Sequence, residues 1–408
     1  MKKRLLKNYA RLIVKSGINI KKGQDVVVRA DLDQTEFVMS VVEECYKAGA
    51  RKVEVEWDIQ KLTKLHQKYR SLETLSTVEK WEEARMEHRC DKLPCMIYLV
   101  SEDPDGLDGM DGEKYAKSCQ ARYKIIKPYR DRMDNKYQWC IAAVPGEAWA
   151  KKMFPDLSAK KAVEKLWEAI LYTSRADGPD PIKAWKEHND YIRGKCDILN
   201  ALGLDSLEYS ASNGTALKVG LLEGTVFMGG CEDTIQGRGF NANIPSEEVF
   251  ISPDKNRADG IVYSTRPLSY NGQLIENFSV RFENGKVTEV HAERNEELLK
   301  QLISMDDGAS HLGECALVPY DSPIRKSELT FYNTLFDENA ACHLALGAGF
   351  TNTLVGYDKL TVEECHKRGI NESMVHEDFM IGTPDLKIVG NKKDGTSVLI
   401  FENGNWAI

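Results

Sequence analysis

The chain has 408 residues, of which 42% are hydrophobic and 29% charged, and this is typical of a globular protein with two or three domains. Its 55 Lys plus Arg and 63 Asp plus Glu give a net charge of -8, which argues against nonspecific nucleic-acid binding as its main role. Because no run of about 18 apolar residues occurs, no membrane-spanning helix is predicted. The ten cysteines form no CxxC pair, and we predict reduced thiols and a cytoplasmic location.

Strand and helix patterns alternate over the first half of the chain. Short apolar or alternating runs, typical of strands, occupy residues 25–29, 52–57, 95–100 and 140–144. Helical spacing of apolar residues occurs between or after them, as at 37–48 and 159–172. This alternation predicts βαβ units and a mainly parallel sheet.

Strand patterns dominate after about residue 200. They are separated by Asn-Gly or Asp-Gly pairs at 213–214, 271–272, 284–285, 394–395 and 403–404. These pairs favour tight hairpin turns. We therefore predict an α/β N-terminal domain with a mainly parallel sheet over residues 1–200, followed by a β-rich α+β domain over residues 201–408.

Carboxylates that could bind a metal occur at two places in the second domain. Glu247 and Glu248 stand just before an apolar strand pattern, and an extended backbone would direct them to opposite faces. Glu314 lies in the apolar run 312–318, where alternation would place it on one face with Leu312. Since that run has no Lys or Arg, either a cation compensates the Glu314 carboxylate or the strand is an edge strand with Glu314 in water.

Two further segments supply histidines. Helix-start residues at 337–339 and a glycine at 347 predict one short helix that carries His343. A strand pattern at 374–382 puts His376 and Asp378 on one face, where both could bind one cation. Either histidine, taken alone, is more often a core residue with satisfied hydrogen bonds than a metal ligand.

Together, these carboxylates and histidines are typical ligands of Zn²⁺, Mn²⁺, Co²⁺ or Fe²⁺, and a carboxylate-rich set can hold two ions with a bridging glutamate. Two such ions would activate a water and polarise a carbonyl, so the residues predict a metal-dependent hydrolase. An alternative is a non-heme iron oxygenase that uses His343, His376 and Asp378 as a facial triad. The additional carboxylates argue against it, because that triad keeps open positions.

The residues at 243–250, the Glu314 strand, and the segments 337–347 and 376–382 resemble the aminopeptidase T / aminopeptidase S family of dinuclear metallopeptidases. The resemblance extends over essentially the whole chain. It implies a cytoplasmic, homodimeric aminopeptidase that removes N-terminal amino acids from peptides and needs two divalent cations, for which Zn, Co, Mn and Mg are candidates.

The resemblance also implies roles for individual residues. The implied metal ligands are Glu248, Glu314, His343, His376 and Asp378, with Glu314 bridging and Glu338 as a further member of the metal shell. Glu247 is our candidate for the general base, from its position beside a ligand. The family usually has a tyrosine seven positions after the first ligand histidine, where this chain has Phe350. A metal- or peptide-binding homologue with weakened turnover is therefore a third interpretation.

Overall fold

The structure is a computed structural model, and it describes residues 3–408. The chain forms two compact units. Unit 1 contains the part up to His188 together with Cys231–Ser246, and unit 2 contains Asn189–Gly230 and Glu247–Ile408. Among the helices of the described residues, none has the length and apolarity needed to cross a membrane.

The strands of the described residues are short to medium in length. In chain order they are β1 (Asp25–Asp31), β2 (Lys52–Asp58), β3 (Cys95–Val100), β4 (Trp139–Ala143), β5 (Leu204–Ser210), β6 (Ala216–Leu221), β7 (Glu232–Asp233), β8 (Gly239–Phe240), β9 (Asn243–Ile244), β10 (Val249–Ile251), β11 (Pro253–Tyr263), β12 (Leu268–Tyr270), β13 (Gln273–Glu283), β14 (Lys286–Arg294), β15 (Leu312–Leu317), β16 (His343–Gly347), β17 (His376–Met380), β18 (Lys387–Lys392), β19 (Ser397–Glu402) and β20 (Asn405–Trp406).

Most of the long helices belong to the first half of the chain. In chain order the helices are α1 (Lys3–Leu12), α2 (Thr35–Lys47), α3 (Gln60–Tyr69), α4 (Leu72–Ser76), α5 (Lys80–Lys92), α6 (Gly112–Met133), α7 (Glu147–Met153), α8 (Ala159–Thr173), α9 (Pro181–Leu202), α10 (Glu296–Ile303), α11 (Pro323–Lys326), α12 (Thr334–Asp337) and α13 (Val362–Lys367).

Unit 1 is built on a parallel sheet in the order β2-β1-β3-β4-β9. The central strands are nearly continuous in buried apolar residues, as is typical of parallel strands covered on both faces. The predicted α/β class with a mainly parallel sheet is confirmed. We predicted that the chain passes once from the first domain to the second, near residue 200. In the structure Cys231–Ser246 also belongs to unit 1, because β9 pairs with β4.

Unit 2 contains two larger antiparallel sheets. One has the order β12-β13-β11-β6-β5-β18-β19-β20, with β14 beside β13, and the other has the order β10-β15-β16-β17. The Asn-Gly and Asp-Gly pairs lie at hairpin turns, and Asn284 and Gly285 both have the positive φ that a tight turn between β13 and β14 requires. Apolar residues of both sheets form one core, and the predicted β-rich α+β class is confirmed.

The predicted helix over residues 337–347 is wrong. Helix α12 and a short 3-10 turn at Glu338–Ala340 end before Ala341, whose backbone is extended, and His343 begins strand β16. This strand is completely buried and pairs with β15 on one side and β17 on the other. Two flanking hydrogen-bonded ladders therefore outweigh the helix preference of its Ala and Leu residues.

Candidate metal centre

The four-stranded sheet places the candidate ligands on one of its faces. Cross-strand partners share a face, and Glu314 pairs with Ala345, which in turn pairs with Asp378. In the next set of cross-strand partners on the same face, His343 lies between Ala316 and Met380. Two small alanine side chains, Ala345 between Glu314 and Asp378 and Ala316 next to His343, leave room on this face for the larger polar ones.

The opposite face of this sheet belongs to the core of unit 2. Cys315, Leu344 and Phe379, which alternate with the candidate ligands along their strands, are buried in that core. Leu312 is also in the core, so our prediction that it shares a face with Glu314 is wrong. The register shifts between these two residues, because a β-bulge at Gly313 reverses the alternation.

Glu248 reaches the same face from the end of another strand. It directly precedes β10, in which Phe250 pairs with Ala316. The carboxylate oxygen Oε2 of Glu248 lies 3.2 Å from Nε2 of His343. Its neighbour Glu247 is buried, and the backbone N–H of Glu247 donates a hydrogen bond to Asn339.

Strand β17 brings the second histidine to the cluster. Nε2 of His376 lies 3.1 Å from Oε2 of Glu314 and 3.5 Å from Oδ1 of Asp378. Nε2 of His343 lies 4.0 Å from the same Asp378 oxygen. The structure therefore brings together all five residues that the family resemblance implies as ligands.

Two groups of three residues have ligand atoms that all lie within 4.8 Å of one another. The first group consists of Glu248, Glu314 and His343, and the second consists of Glu314, His376 and Asp378. Glu314 belongs to both groups. This is the arrangement expected of a carboxylate that bridges two cations.

The hydrogen bonds of Asp378 and His376 leave one atom of each side chain available to bind a metal. Oδ1 of Asp378 is buried and has no hydrogen-bond partner, a state that is costly for a carboxylate unless a cation compensates it. Nδ1 of His376 lies 2.7 Å from the carbonyl oxygen of Ala348, which orients the ring so that Nε2 faces the carboxylates. Such an outer hydrogen bond is a regular feature of metal-binding histidines.

Electrostatics of the protein groups point the same way. Burial raises the pKa of Glu314 to about 7 and raises the pKa of Glu338 well above its usual range. Burial lowers the pKa of His343, but the hydrogen bond to Glu248 and the charges of nearby carboxylates outweigh it and raise that pKa to about 10. Without a cation, these raised pKa values favour the protonated forms of Glu314, Glu338 and His343. A divalent cation would supply the positive charge that those protons now supply.

Glu338 and Glu247 occupy different positions relative to this cluster. Glu338 is only 6% exposed, and its charge interacts with those of Asp378, Glu248 and His343. Neither Glu338 nor Glu247 belongs to the two ligand groups found among the described residues. Glu338 is therefore an immediate neighbour of the cluster.

The structure places Phe350, where the family usually has a tyrosine, against the site, and it adds Phe250 and Asn339, which the sequence did not identify as part of the site. Phe350 packs on His376, with 4.8 Å between their ring centroids, and on Phe250 at 5.1 Å. Asn339, which we had interpreted only as a helix-start residue, contacts both Glu247 and Glu338. A single sequence offers no signal for the role of Asn339, because its partners come from different segments of the chain.

Comparison with known proteins identifies the family. Residues 2–406 match the family model described as Thermophilic metalloprotease (M29). The chain is 41% identical to Aminopeptidase AmpS of Bacillus subtilis, over 98% of each chain. It is 38% identical to Aminopeptidase T of Thermus thermophilus, over 100% of this chain and 99% of that one.

A solved structure agrees with these sequence matches. The structure of wild-type AmpT from Thermus thermophilus superimposes with a TM-score of 0.90 and 36% identity, and the match covers 100% of both chains. The predicted resemblance and the predicted metallopeptidase class are thereby confirmed, whereas the iron-oxygenase alternative finds no support. The chain belongs to the M29 family of metalloproteases.

Proposed function

We propose that this metallopeptidase removes N-terminal amino acids from peptides and holds two divalent cations for that reaction. The observation that carries the proposal is the membership of Glu314 in both ligand groups. The relatives named aminopeptidases match the chain along nearly its whole length, which supports the same class of substrate. The family match supports a metal requirement, and the shared glutamate supports two cations instead of one.

Each cation would be held by one of the two ligand groups. Glu248 and His343 would bind the first, His376 and Asp378 would bind the second, and Glu314 would bridge them. Mixed carboxylate and imidazole ligands suit zinc, cobalt and manganese, and magnesium is the candidate that favours carboxylates most. When bound, two such cations lower the pKa of a water molecule and polarise the peptide carbonyl.

The remaining acidic groups suit the other needs of an exopeptidase. Glu247 and Glu338, which belong to neither ligand group, would attract the positively charged α-amine of a peptide, which favours cleavage at the N-terminus. Glu247, which is buried beside Glu248, is our sequence-based candidate to move a proton, and Glu338 is a second candidate, since its charge interacts with those of the candidate ligands. With cations bound, their positive charge would lower the raised pKa of Glu338, and its carboxylate would then accept a proton from the attacking water and donate it to the leaving nitrogen.

Hydrolysis of aminoacyl p-nitroanilides by the purified protein tests the proposal. The protein is first stripped with a chelator, and zinc, cobalt, manganese or magnesium is then restored separately while bound metal is counted. We expect activity to disappear on stripping and to return as two ions bind per chain. N-acetylated substrates, which lack the charged amine, should not be cleaved.

Two results would contradict this function. Full hydrolysis by completely metal-free protein would exclude a metal mechanism, and full activity with one bound ion per chain would exclude the bridged pair. Tight binding of peptides without cleavage under any metal would instead support the weakened homologue that Phe350 suggested.

We also propose a cytoplasmic homodimer. All ten cysteines are free thiols in the structure, which suits a reducing compartment. Helix α3 exposes the apolar side chains of Leu62, Leu65 and Tyr69, which a partner subunit would cover.

A further inference from the structure

Asn339 is completely buried beside the metal centre and contacts two of its acidic segments. Its side-chain oxygen Oδ1 accepts a hydrogen bond of 2.6 Å from the backbone N–H of Glu247. Its side-chain nitrogen Nδ2 donates to the carbonyl oxygen of Leu335 at 3.1 Å and to Oε1 of Glu338 at 3.2 Å. One side chain therefore joins the backbone next to Glu248 to the carboxylate of Glu338.

The chemistry of these partners fixes the orientation of the Asn339 amide. The oxygen faces a donor and the nitrogen faces two acceptors, so a flipped amide would oppose donor to donor and acceptor to acceptor. Because Asn339 is buried, a flip that left these groups unpaired would cost free energy. The amide is consequently held in one orientation.

The segment that carries Asn339 is anchored on its other side. The buried carboxylate of Asp337 accepts hydrogen bonds from Arg266 at 2.6 Å, from the backbone N–H of Phe331 at 3.0 Å and from that of Asn333 at 3.1 Å. The ion pair with Arg266 is almost fully buried. Asn339 thus belongs to a segment that is held in place, so its hydrogen bonds can fix the positions of the Glu247 backbone and the Glu338 carboxylate.

We propose that Asn339 is a positioning residue of the metal centre, which sets the Glu248 carboxylate through the Glu247 backbone and orients the Glu338 carboxylate directly. Glu248 adjoins the residue whose N–H is held, so a shift of that N–H moves its carboxylate relative to His343. Outer hydrogen bonds of this kind typically change metal affinity by about 10- to 100-fold. The inference rests on the two-metal function proposed above.

Cobalt titration of metal-stripped protein tests this role without relying on hydrolysis. Binding is followed by calorimetry and by the visible absorption of Co²⁺, and folding is followed by the thermal unfolding midpoint. The variant Asn339→Leu removes both sets of hydrogen bonds. We expect its cobalt affinity to fall by about 10- to 100-fold and its cobalt spectrum to change, since the ligand geometry is altered.

A second variant and a matched control separate positioning from general stability. Asn339→Asp keeps an acceptor for the Glu247 N–H but replaces the donor to Glu338 by a second carboxyl oxygen, so its cobalt spectrum should also differ from that of the wild type. Asn241→Leu alters another buried asparagine, which belongs to unit 1 and donates to the carbonyl oxygen of Ser16 at 2.7 Å, and it should keep the wild-type cobalt spectrum.

The outcomes distinguish this inference from the function on which it rests. Wild-type affinity and spectrum in Asn339→Leu would overturn the positioning role, as would equal losses in Asn339→Leu and Asn241→Leu. Failure of the wild-type protein to bind cobalt would instead overturn the two-metal function. If Asn339→Leu does not fold, the Asn339→Asp variant tests the proposal instead. Wild-type cobalt binding in that variant would show that the contact with Glu338 does not position the metal centre.

Discussion

Glu314 belongs to both candidate ligand groups, so under the proposed function its substitution should affect both cations. In Glu314→Gln the amide keeps the shape of the side chain but cannot bridge two cations with a charged group. We expect the loss of at least one bound ion per chain and a fall in kcat of more than about 100-fold, since changes outside the ligand shell already cost about 10- to 100-fold. Metal analysis and p-nitroanilide kinetics measure the two effects.

Glu377 offers a matched control for this substitution. It lies in β17 but pairs with Leu346, so it faces away from the ligands. Glu377→Gln makes the same chemical change on the other face of the same sheet, and it should leave the bound-metal count at the wild-type value. An unchanged metal count in Glu314→Gln would remove the argument for a bridging carboxylate.

Phe350 is the position where the chain departs from the residue usual in its family. Its ring packs on His376, so a hydroxyl added to it enters the immediate surroundings of the ligands. We expect Phe350→Tyr to raise kcat by about 10-fold or more, since one hydrogen bond to a developing oxyanion is worth about 100-fold or more in rate. Phe250→Tyr, on the ring that packs against Phe350, is the control. Equal kcat values for Phe350→Tyr and the wild type would show that Phe350 serves only as an apolar wall.

The pKa values of the ligand residues predict proton release on metal binding. In the absence of a cation the raised pKa of His343, about 10, keeps its imidazole protonated at neutral pH, and Glu314, with a pKa of about 7, is partly protonated. A cation requires both groups without their protons, so its apparent affinity should rise from about pH 6 to about pH 8. Calorimetry in buffers of different ionisation enthalpy measures the released protons. A binding heat that is the same in every buffer would contradict the prediction.

At the scale of elements, the strand patterns were the most predictable part of the structure. The parallel strands of unit 1 and the hairpins of unit 2 follow from apolar runs and turn residues that lie close together in the sequence. Strand β16 was not predictable in this way, because its stability depends on pairing with β15 and β17 from distant parts of the chain. His343 was nevertheless named as a candidate ligand, since family resemblance depends on residue identity and not on secondary structure.

The bulge at Gly313 is the element-scale feature that directs Glu314 to the metal face. A Cβ atom at Gly313 would lie 2.1 Å from the carbonyl oxygen of Ala348 and 2.4 Å from that of Gly347. Gly313→Ala should therefore lower the free energy of unfolding by about 1 to 3 kcal/mol, as overpacking does elsewhere, and weaken metal binding. Chemical denaturation and cobalt titration measure these effects.

Gly194 supplies the control for this substitution. It lies inside helix α9, and a Cβ atom there would meet nothing within 4 Å. Gly194→Ala should raise the free energy of unfolding by about 0.5 to 1 kcal/mol, because alanine loses less backbone entropy in a helix. Stability of Gly313→Ala at or above the wild-type value would show that the strand accommodates a side chain at the bulge.

For the whole molecule, the class of each half was predictable and the path of the chain between them was not. The shift from alternating helices and strands to hairpins is a property of composition along the sequence. The return of residues 231–246 to unit 1 depends on the pairing of β9, a strand of two residues, with β4. So short a strand has no pattern of its own, and its partner lies about a hundred residues away in the chain.

One side of helix α3 is apolar and exposed, and this surface predicts that the chain forms a dimer. Ile59 and three residues of α3, Leu62, Leu65 and Tyr69, are each more than 40% exposed and lie along one side of the helix. Exposed apolar residues at helical spacing are typical of a surface that another protein covers. We therefore expect light scattering after gel filtration to give twice the mass of one chain.

Substitutions on α3 test whether its apolar side is the interface of the dimer. Leu62→Glu combined with Leu65→Glu places two charges on the apolar side of the helix, and desolvating them would oppose association, so the mass should fall to that of one chain. Lys61→Gln combined with Lys64→Gln changes the net charge of α3 by the same amount but leaves the apolar side intact, and it should remain dimeric. A dimer that survives the two glutamates would place the interface elsewhere. If the double glutamate variant is a monomer, its hydrolytic activity shows whether one chain holds a complete active centre. We expect it to be active, because all five candidate ligands lie within unit 2.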